Sequence, residues 1–347
     1  MTNVRIAVDA MGGDHAPDAI IEGVIESVRD HSPDKNFKIV LVGKEKEIHK
    51  ELRKYKHINQ DRIEIINARD EISMKEHFLS YWRRREETSI KKAIDLVKNK
   101  QAQAMVSAGN TGAVMALSKT ILGSIKSIDR PALGVMIPTL RGSSLMVDVG
   151  ANADSKPHNL AQFALMGKVY LENVCGLKNP KVALMSIGEE EAKGNELTKA
   201  SYNLLKAMDI NFIGNVEGKD VYVGEADLIV TDGFTGNVTL KVSEGVVDVM
   251  LSMLKREIMS NIFSKIGFFF LKKSLKRIKK KMDYEEYGGA LLLGVNGIVI
   301  IGHGRSNAKA IKNAIHLSNR FISGGVLEKI SGEIARLPKL VTEMKYG

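Results

Sequence analysis

Short apolar runs alternate with longer amphipathic stretches along nearly the whole chain. A run of about four to eight apolar residues bounded by turn residues is typical of a buried strand, whereas apolar residues at three- and four-residue spacing indicate a helix. Strands are predicted over Arg5–Asp9, Lys38–Val42, Arg62–Ile66, Ala104–Ser107, Leu133–Ile137, Leu145–Val149, Val182–Ile187, Asn211–Gly214 and Asp227–Thr231, with a hairpin over Leu291–Leu293 and Ile298–Ile301. Helices are predicted over Pro17–Val28, Ile90–Asn99, Ala113–Leu122, Asn159–Val174, Glu196–Met208, Val238–Met253 and Ala308–Phe321.

The order of these elements indicates the fold class. Strands that alternate with helices form a largely parallel sheet covered on both faces, so we expect an α/β protein with a three-layer α/β/α sandwich. No Pro/Ser-rich linker, low-complexity tract or repeat divides the sequence, which predicts a single catalytic domain over residues 1–347. Because the carboxyl ends of parallel strands meet at one edge of a sheet, we expect the loops after the strands to share a ligand site there.

The basic charge of the chain is concentrated in one segment. Between Lys255 and Lys281 ten Lys/Arg accompany one acidic residue, Glu257, which gives a local charge of +9 out of +10 for the whole chain. The apolar stripe of this segment changes side near Gly267, so we predict a protruding amphipathic helical hairpin over residues 250–285 with Phe268–Phe270 near its tip. No apolar run reaches the roughly 20 residues that a membrane-spanning helix needs.

Several uses of this hairpin fit its residues. It could be a solvated helix pair, partly buried against a second subunit, or it could bind nucleic acid, although nucleic acid binding gains little from a phenylalanine triplet. An anionic membrane surface uses both features, because Phe268, Phe269 and Phe270 would enter the headgroup layer while Lys272 and Lys273 contact lipid phosphates. We therefore favour a membrane surface and expect no nucleic acid partner.

Glycine- and amide-rich loops precede several of the predicted helices. They are Asp9–Pro17, Ser107–Gly112, Asp148–Asp154, Gly188–Asn195, Asp232–Asn237 and Gly302–Asn307. Free backbone amides at helix starts bind phosphate groups, and glycine allows the backbone to approach the anion closely. Each loop alone fits an ordinary turn or helix cap better than an anion site. Their number favours an anion site.

Common catalytic motifs are missing from the sequence. It contains no G-x-x-x-x-G-K-[ST], no G-x-G-x-x-G after the first strand and no G-x-S-x-G. With one cysteine, a cysteine-based metal site is impossible, and the histidines lack an H-x-x-x-H spacing, so we predict no metal and no cofactor. Cys175 fits a buried, inert thiol better than a reactive nucleophile. These absences favour anion binding without an attacking protein side chain.

Six strings, spread along essentially the whole chain, carry a family resemblance. They are DAMGGDHAP (Asp9–Pro17), GNTGA (Gly109–Ala113), DVGANAD (Asp148–Asp154), IGEEEAKGNE (Ile187–Glu196), TDGFTGNV (Thr231–Val238) and YGGALLLGVNG (Tyr287–Gly297). Together and in this order they resemble the PlsX family of bacterial phosphate acyltransferases. The resemblance implies a sandwich like that of phosphate acetyltransferase and the isocitrate/isopropylmalate dehydrogenases. It also implies attack of inorganic phosphate on the thioester of a long-chain acyl carrier protein, giving acyl phosphate for phospholipid synthesis.

The resemblance gives the loops specific expected roles. Lys193 would be the cation closest to the reacting phosphate and carbonyl, and Asn237, with helix-start amides around Gly236, would donate to the oxyanion or phosphate. Without the resemblance Lys193 would read as a solvated lysine in an acidic loop. The further expected phosphate contacts are Asn110, Thr111, Asn152, Asn195, Gly12 and Gly13. The expected orienting or capping residues are Asp9, Asp14, Asp148, Asp232 and His15, of which His15 could alternatively be a general acid.

The expected partners follow from the same resemblance. They are acyl carrier protein, inorganic phosphate, a second copy of the chain as a homodimer, and a downstream glycerol-3-phosphate acyltransferase that uses acyl phosphate. Acyl carrier protein is typically acidic, so the basic hairpin could receive it instead of, or together with, lipid. The single cysteine and the polar loop that follows Val4–Val8 without a signal peptide fit a cytoplasmic protein attached to the inner face of the cell membrane.

Two departures from the family pattern lie late in the chain, and no catalytic role is carried over to them. Leu291 stands where the family usually has proline, and Arg305-Ser306-Asn307 stands where a Ser-Ser-Asp-like run is common. Two other functions remain open. One is a short-chain phosphotransacetylase acting on acyl-coenzyme A, and the other is a non-catalytic, membrane-recruited binding protein. Acyl-chain preference and the path of the acyl tail do not follow from the sequence.

Overall fold

The computed structural model describes residues 4–29, 37–56, 59–76, 87–282 and 284–336. They form an eleven-stranded sheet with the order β3-β2-β1-β4-β11-β10-β5-β6-β9-β7-β8. The strands are β1 (Val4–Asp9), β2 (Phe37–Gly43), β3 (Ile63–Asn67), β4 (Ala104–Ser107), β5 (Ala132–Thr139), β6 (Gly142–Val147), β7 (Val182–Met185), β8 (Phe212–Val216), β9 (Leu228–Val230), β10 (Ala290–Leu293) and β11 (Ile298–Ile301). Each predicted strand is confirmed, and β10 pairs antiparallel with β11 as the hairpin prediction requires.

Helices cover both faces of this sheet. The described helices are α1 (Asp18–Val28), α2 (Glu45–Leu52), α3 (Ser89–Lys98), α4 (Thr111–Leu122), α5 (Pro157–Asn173), α6 (Glu196–Lys206), α7 (Gly233–Ser260), α8 (Ile262–Met282), α9 (Ala308–Ser323) and α10 (Val326–Ala335). All predicted helices are present. The sequence pattern missed α2 and α10; α2 has only eight residues and two apolar side chains, Ile48 and Leu52, too few to establish a helical pattern.

The three-layer sandwich is confirmed by the way the strands divide their side chains. Along β1, Ile6 and Val8 pack on one face with α1, α5, α6, α9 and α10, while Ala7 packs on the other face with α3 and α4. Successive residues of a strand point to opposite faces, so each buried strand feeds both hydrophobic cores. This explains why the strand sequences are continuous runs of apolar residues and do not alternate between apolar and polar residues.

The direction of the strands changes in the middle of the sheet. The pairs β11/β10, β10/β5 and β5/β6 are antiparallel, and the other pairs are parallel. Three reversals mean that β6, β9, β7 and β8 run opposite to β1, β2, β3, β4 and β11. The prediction that all the glycine- and amide-rich loops share one edge is therefore wrong. The loops after β6, β9 and β7 leave one edge, here called the β7 edge, and those after β1, β4 and β11 leave the other, the β1 edge.

Two consecutive helices occupy the segment of the predicted hairpin, and the break between them lies at Asn261 and not near Gly267. Helix α7 ends at Ser260, and Asn261, in an extended conformation, accepts a hydrogen bond from the Ser264 backbone N–H at 2.8 Å and so starts α8. The prediction that Phe268–Phe270 lie near the tip is thus wrong, because these residues sit inside α8, about two turns from the break. The tip carries Ile262 and Phe263, both exposed. Among the described helices, none is long and apolar enough to cross a bilayer.

Candidate active site

The β7 edge brings three of the predicted loops together. Strands β6 and β7 both pair parallel with β9, which lies between them, so the loop after β9 starts about 5 Å from each of the other two loops. These loops carry Asp148 and Asn152 after β6, Asp232 and Asn237 after β9, and Lys193 and Asn195 after β7. Of the residues expected to form the site, this group shares a sheet edge.

Asp148 organises the loop after β6 from inside the protein. Its Oδ1 accepts hydrogen bonds from the backbone N–H groups of Leu133, Gly150 and Ala151 at 2.9–3.2 Å. Its Oδ2 accepts from the backbone and the side-chain amide of Asn152 at 2.8 and 2.9 Å. Burial raises the pKa of Asp148, and these hydrogen bonds partly offset that rise. The carboxylate therefore holds the loop in place and has no oxygen turned to a ligand.

Most of the other amide and acidic side chains in these loops also form hydrogen bonds to protein groups. Asn152 donates its side-chain N–H groups to Pro131 O and Asp148. Asn195 accepts from the Thr198 backbone N–H and caps α6, and Asp232 accepts from the backbone N–H and hydroxyl of Thr235 and caps α7. For these three residues the capping and loop-holding roles account for the hydrogen bonds of their side chains.

Gly236 serves close packing instead of anion binding. Its backbone N–H donates to Asp232 O at 3.0 Å inside the helix, so among the helix-start amides around Gly236 this one is already used. A Cβ atom on Gly236 would lie 2.0 Å from Asp148 O. Glycine is needed here because the first turn of α7 rests directly on the backbone of the Asp148 loop.

Asn237 and Lys193 differ from their neighbours. Among the described residues neither side chain has a hydrogen-bond or ion-pair partner, and both are exposed. The amide of Asn237 lies beside Gly150, where a Cβ atom would be 3.5 Å from the Asn237 Cγ. Two carboxylates of the Lys193 loop are paired with other lysines, Glu191 with Lys206 at 3.1 Å and Glu189 with Lys219 at 3.6 Å. Neither of these two carboxylates pairs with Lys193, and the exposed Lys193 side chain fits a solvated lysine as well as one that waits for an anion.

The β1 edge holds the remaining predicted residues. Buried Asp9 accepts a hydrogen bond from Ser107 Oγ at 2.6 Å and from the Met11 N–H at 3.1 Å, and its burial raises its pKa. A Cβ atom on Gly12 would lie 2.4 Å from Asp9 Oδ2, and Gly13 has a φ of 109°, so both glycines are required by the loop itself. Asp9 is thus a structural centre for this edge, as Asp148 is for the other.

The other members of the β1 edge lie around it. Asn110 caps α4 by accepting from the Ala113 N–H and donates to backbone carbonyls of residues 73–76, while Thr111 is exposed at the helix start. Asp14 donates its N–H to Gly304 O at 2.7 Å, and His15 is exposed. Asn110 therefore has its amide committed to the protein, in contrast to Asn237.

Helix α7 connects the two edges. It starts at Gly233 on the β7 edge, and its residues Lys241 and Glu244 come close enough to influence the charge of His303 on the β1 edge. Burial is the main cause that lowers the pKa of His303, and the nearby Asp14 and Arg305 act on it as well. The first three turns of α7, from Gly233 past Asn237 to Glu244, therefore run from the β7 edge toward the β1 edge.

Some residues that build the site were not predicted from the sequence. Ser186, Thr198 and Asn215 hold the loop that carries Lys193. Asn215 had a detectable signal, because it is an amide at a buried position of a strand. Ser186 and Thr198 had none, because hydroxyl residues are common in loops and first helical turns. Among the described residues no cluster of three or more potential metal ligands occurs.

The fold and this site define a class of protein. The solved structures of the EutD phosphotransacetylase from Staphylococcus aureus and of a phosphotransacetylase from Streptococcus pyogenes superpose with TM-scores of 0.58 and 0.60. Each comparison covers 92% of this chain and 94% of the other, with sequence identities of 14% and 17%. The chain therefore has the α/β fold found in phosphotransacetylases.

The sequence comparisons identify the family. The profile of the family described as fatty acid synthesis protein matches residues 4–329. The phosphate acyltransferase of Dictyoglomus turgidum is 50% identical over 94% of this chain and 96% of its own length. That of Clostridium novyi is 46% identical over 95% and 98%. The chain belongs to this family, the PlsX family of phosphate acyltransferases, as its motifs predicted.

Proposed function

We propose that this chain transfers a long-chain acyl group from acyl carrier protein to inorganic phosphate, with Lys193 and Asn237 at the reacting atoms. One observation carries the assignment of these residues. At the β7 edge the side chains of Asp148, Asn152 and Asp232 hydrogen bond to protein groups, whereas those of Lys193 and Asn237 have no partner among the described residues and can bind a ligand. The reaction class is supported by relatives named phosphate acyltransferase that match the chain over nearly its full length.

The reaction requires no attacking protein group. An oxygen of phosphate attacks the thioester carbonyl carbon, and the carbonyl oxygen carries the negative charge of the tetrahedral intermediate. When the carbonyl re-forms, the C–S bond breaks, the acyl group stays on phosphate, and the thiolate takes a proton from solvent. The protein must therefore hold two anions close together, phosphate and oxyanion, and position and charge stabilisation supply the catalysis.

Lys193 and Asn237 suit these two tasks. A lysine ammonium has three N–H donors and a positive charge, so Lys193 can lie between phosphate and the developing oxyanion. The Asn237 amide donates to one of the same oxygens without adding a charge. Removal of one such donor costs about 10²–10³ in kcat. The start of α7 adds the partial positive charge of a helix N-terminus, which the Asp232 cap partly neutralises.

The test is release of free carrier thiol with and without inorganic phosphate, together with trapping of acyl phosphate by hydroxylamine. Lys193→Ala and Asn237→Ala should each lower phosphate-dependent release about 100- to 1,000-fold. Lys199→Ala and Asn203→Ala, which change exposed residues of the same types on the neighbouring helix α6, should leave it unchanged. Near-normal turnover in both Lys193→Ala and Asn237→Ala would overturn the assignment, and thiol release that ignores phosphate would overturn the reaction.

The carrier is distinguished by a second comparison. Long-chain acyl groups on acyl carrier protein and on coenzyme A are offered at equal concentrations, together with acetyl-coenzyme A. The proposal expects the highest kcat/KM for the acyl carrier substrate. Preference for acetyl-coenzyme A would instead identify a short-chain phosphotransacetylase, and no transfer to phosphate from any donor would identify a binding protein.

The hairpin supports attachment to an anionic membrane as a second part of the proposal. Ile262 and Phe263 are exposed at its tip, and Phe269 and Phe270 are 74% and 77% exposed on α8. Burial of each phenylalanine contributes about 1.5–3 kcal/mol, and each nearby Lys/Arg adds about 1 kcal/mol at an anionic surface. Attachment would deliver acyl phosphate to the membrane, where a glycerol-3-phosphate acyltransferase consumes it.

Helix α7 also supports a homodimer. Val242, Val246, Val249 and Met253 are exposed and follow one another at four-, three- and four-residue spacing. This is the spacing of the core positions of a coiled coil, and such a seam buries its side chains against another helix. A second copy of the chain would supply that helix, and two hairpins on one particle would strengthen membrane attachment through multivalency.

A further inference from the structure

The loop that carries Lys193 is tied to the sheet through a buried amide. Asn215 lies on β8, next to β7, and is 8% exposed. Its Nδ2 donates a hydrogen bond to Glu190 O at 3.0 Å, and the backbone N–H of Lys193 donates to the same oxygen at 3.0 Å. One carbonyl oxygen therefore joins the side chain of Asn215 to the backbone of the proposed catalytic lysine.

The loop is fixed on both sides of Lys193. Before it, the Ser186 N–H donates to Val216 O at 2.9 Å, which continues the pairing of β7 with β8, and Ser186 Oγ donates to Lys193 O at 3.4 Å. After it, Gly194 has a φ of 106°, and a Cβ atom there would lie 2.1 Å from Thr198 Oγ1. The backbone of Lys193 is thus held from several directions, while its side chain has no partner among the described residues.

The hydrogen bond from Asn215 to Glu190 O has an energetic cost. Its Oδ1 is buried and has no hydrogen-bond partner in the described part of the chain. The opposite amide orientation would set Oδ1 against Glu190 O, two acceptors facing each other, so the donor must face Glu190. An apolar residue at this buried strand position would avoid the unpaired oxygen. The amide therefore lowers the stability of the fold but fixes the position of the loop that carries Lys193.

We propose that Asn215 is a positioning residue for the acyl transfer, which sets Lys193 through the carbonyl of Glu190. This inference rests on the proposed function of Lys193. Without the hydrogen bond from Asn215, the Glu190 carbonyl is no longer fixed, and Lys193, whose backbone N–H donates to that carbonyl, can move. The distance between the Lys193 ammonium and the reacting oxygens is then no longer constant. A displacement of about 1 Å can cost about 100-fold in rate. The acyl substrate would bind as before, because Asn215 is buried and its side-chain amide is directed to the Glu190 carbonyl.

The test compares Asn215 with a second asparagine, Asn211, which immediately precedes β8. In Asn215→Leu we expect kcat to fall 10- to 100-fold and KM for phosphate to rise, with KM for the acyl substrate unchanged. Asn215→Asp, whose ionised carboxylate cannot donate a hydrogen bond, should show the same changes in kcat and KM. It replaces the leucine variant in the test if that variant does not fold. The matched control is Asn211→Leu at the residue just before β8, where the Asn211 Nδ2 donates to Asn179 O at 3.1 Å, and its kinetics should equal those of the wild type.

A double-mutant cycle separates positioning from general loss of structure. If Asn215 acts through Lys193, Asn215→Leu should cost nothing further in a Lys193→Ala background, where the group being positioned is absent. An equal fold-loss in both backgrounds, or unchanged kinetics in both Asn215 variants, would overturn the inference. If wild-type thiol release does not depend on phosphate, the proposed function fails instead, so the two failures are distinguishable.

Discussion

Gly236→Ala should damage the active site although it replaces a helical glycine by the best helix former. Helix propensity alone predicts a gain of about 1 kcal/mol. However, the new Cβ would lie 2.0 Å from Asp148 O and 2.8 Å from Thr231 Cγ2. A carbon–oxygen contact needs about 3.3 Å, so the first turn of α7 must move by about 1.3 Å. Asn237 is the next residue and must move with it. We expect kcat to fall about 100-fold and the unfolding free energy to fall by about 1–3 kcal/mol.

Gly245→Ala provides the control for this prediction on the same helix. A Cβ atom on Gly245 has nothing within 4 Å, so the substitution tests helix propensity without a clash. It should raise the unfolding free energy by about 0.5–1 kcal/mol and leave turnover unchanged. The measurements are urea denaturation and phosphate-dependent thiol release for both variants. Wild-type turnover in Gly236→Ala would show that the contact of α7 with the Asp148 loop does not position Asn237, and would refute the reasoning.

Three further predictions concern burial and surface. Because burial raises the pKa of Asp9 and Asp148, the folded chain keeps protons that the unfolded chain releases above pH 3.8, so these groups lower stability as pH rises from there. As pH falls, the unfolding free energy of the wild type, measured by urea denaturation, should therefore rise relative to that of Asp148→Asn. A relative fall would contradict this prediction. Changing Phe269 and Phe270 to Ser should abolish flotation with anionic liposomes while turnover on soluble acyl carrier substrate survives; loss of turnover with flotation unchanged would favour carrier docking. Val249→Asp should turn a dimer into a monomer in light scattering, and an unchanged mass would exclude the α7 seam.

The sequence predicted the elements well because their causes are local. A strand buried on both faces, such as β2 with Ile39, Val40, Leu41 and Val42, must be apolar at every position, and that composition is visible without the fold. The start of α7 was less visible, because Gly233 and Gly236 weaken helix propensity there. Only the contact of these glycines with the Asp148 loop explains why they occupy a helix. The family motifs gave Lys193 and Asn237 through resemblance, not through any local pattern.

The roles of the asparagines could not be separated by sequence. Asn110, Asn195 and Asn237 all stand near helix starts, yet the first two cap their helices and only Asn237 keeps its side chain free among the described residues. The difference is one of position. Asn110 and Asn195 directly precede their helices, whereas Asn237 lies five residues after the cap Asp232 and inside α7. The prediction that the tip lies near Phe268–Phe270 was wrong because of position as well. Helix α7 ends before Asn261, whereas the apolar stripe changes side only at Gly267.

What the sequence determined by itself is the set of strands and helices, the two-sided burial that makes a three-layer sandwich, and the basic, aromatic segment. These depend on composition and spacing over a few residues. Only the tertiary structure decided which loops meet, because strand direction follows from pairings between residues far apart in the chain. Three antiparallel pairs around β10 and β5 send the Asp9 and Asp148 loops to opposite edges. Lys193 and Asn237 lie on the same edge because β7 pairs with β9, and no local pattern encodes that pairing.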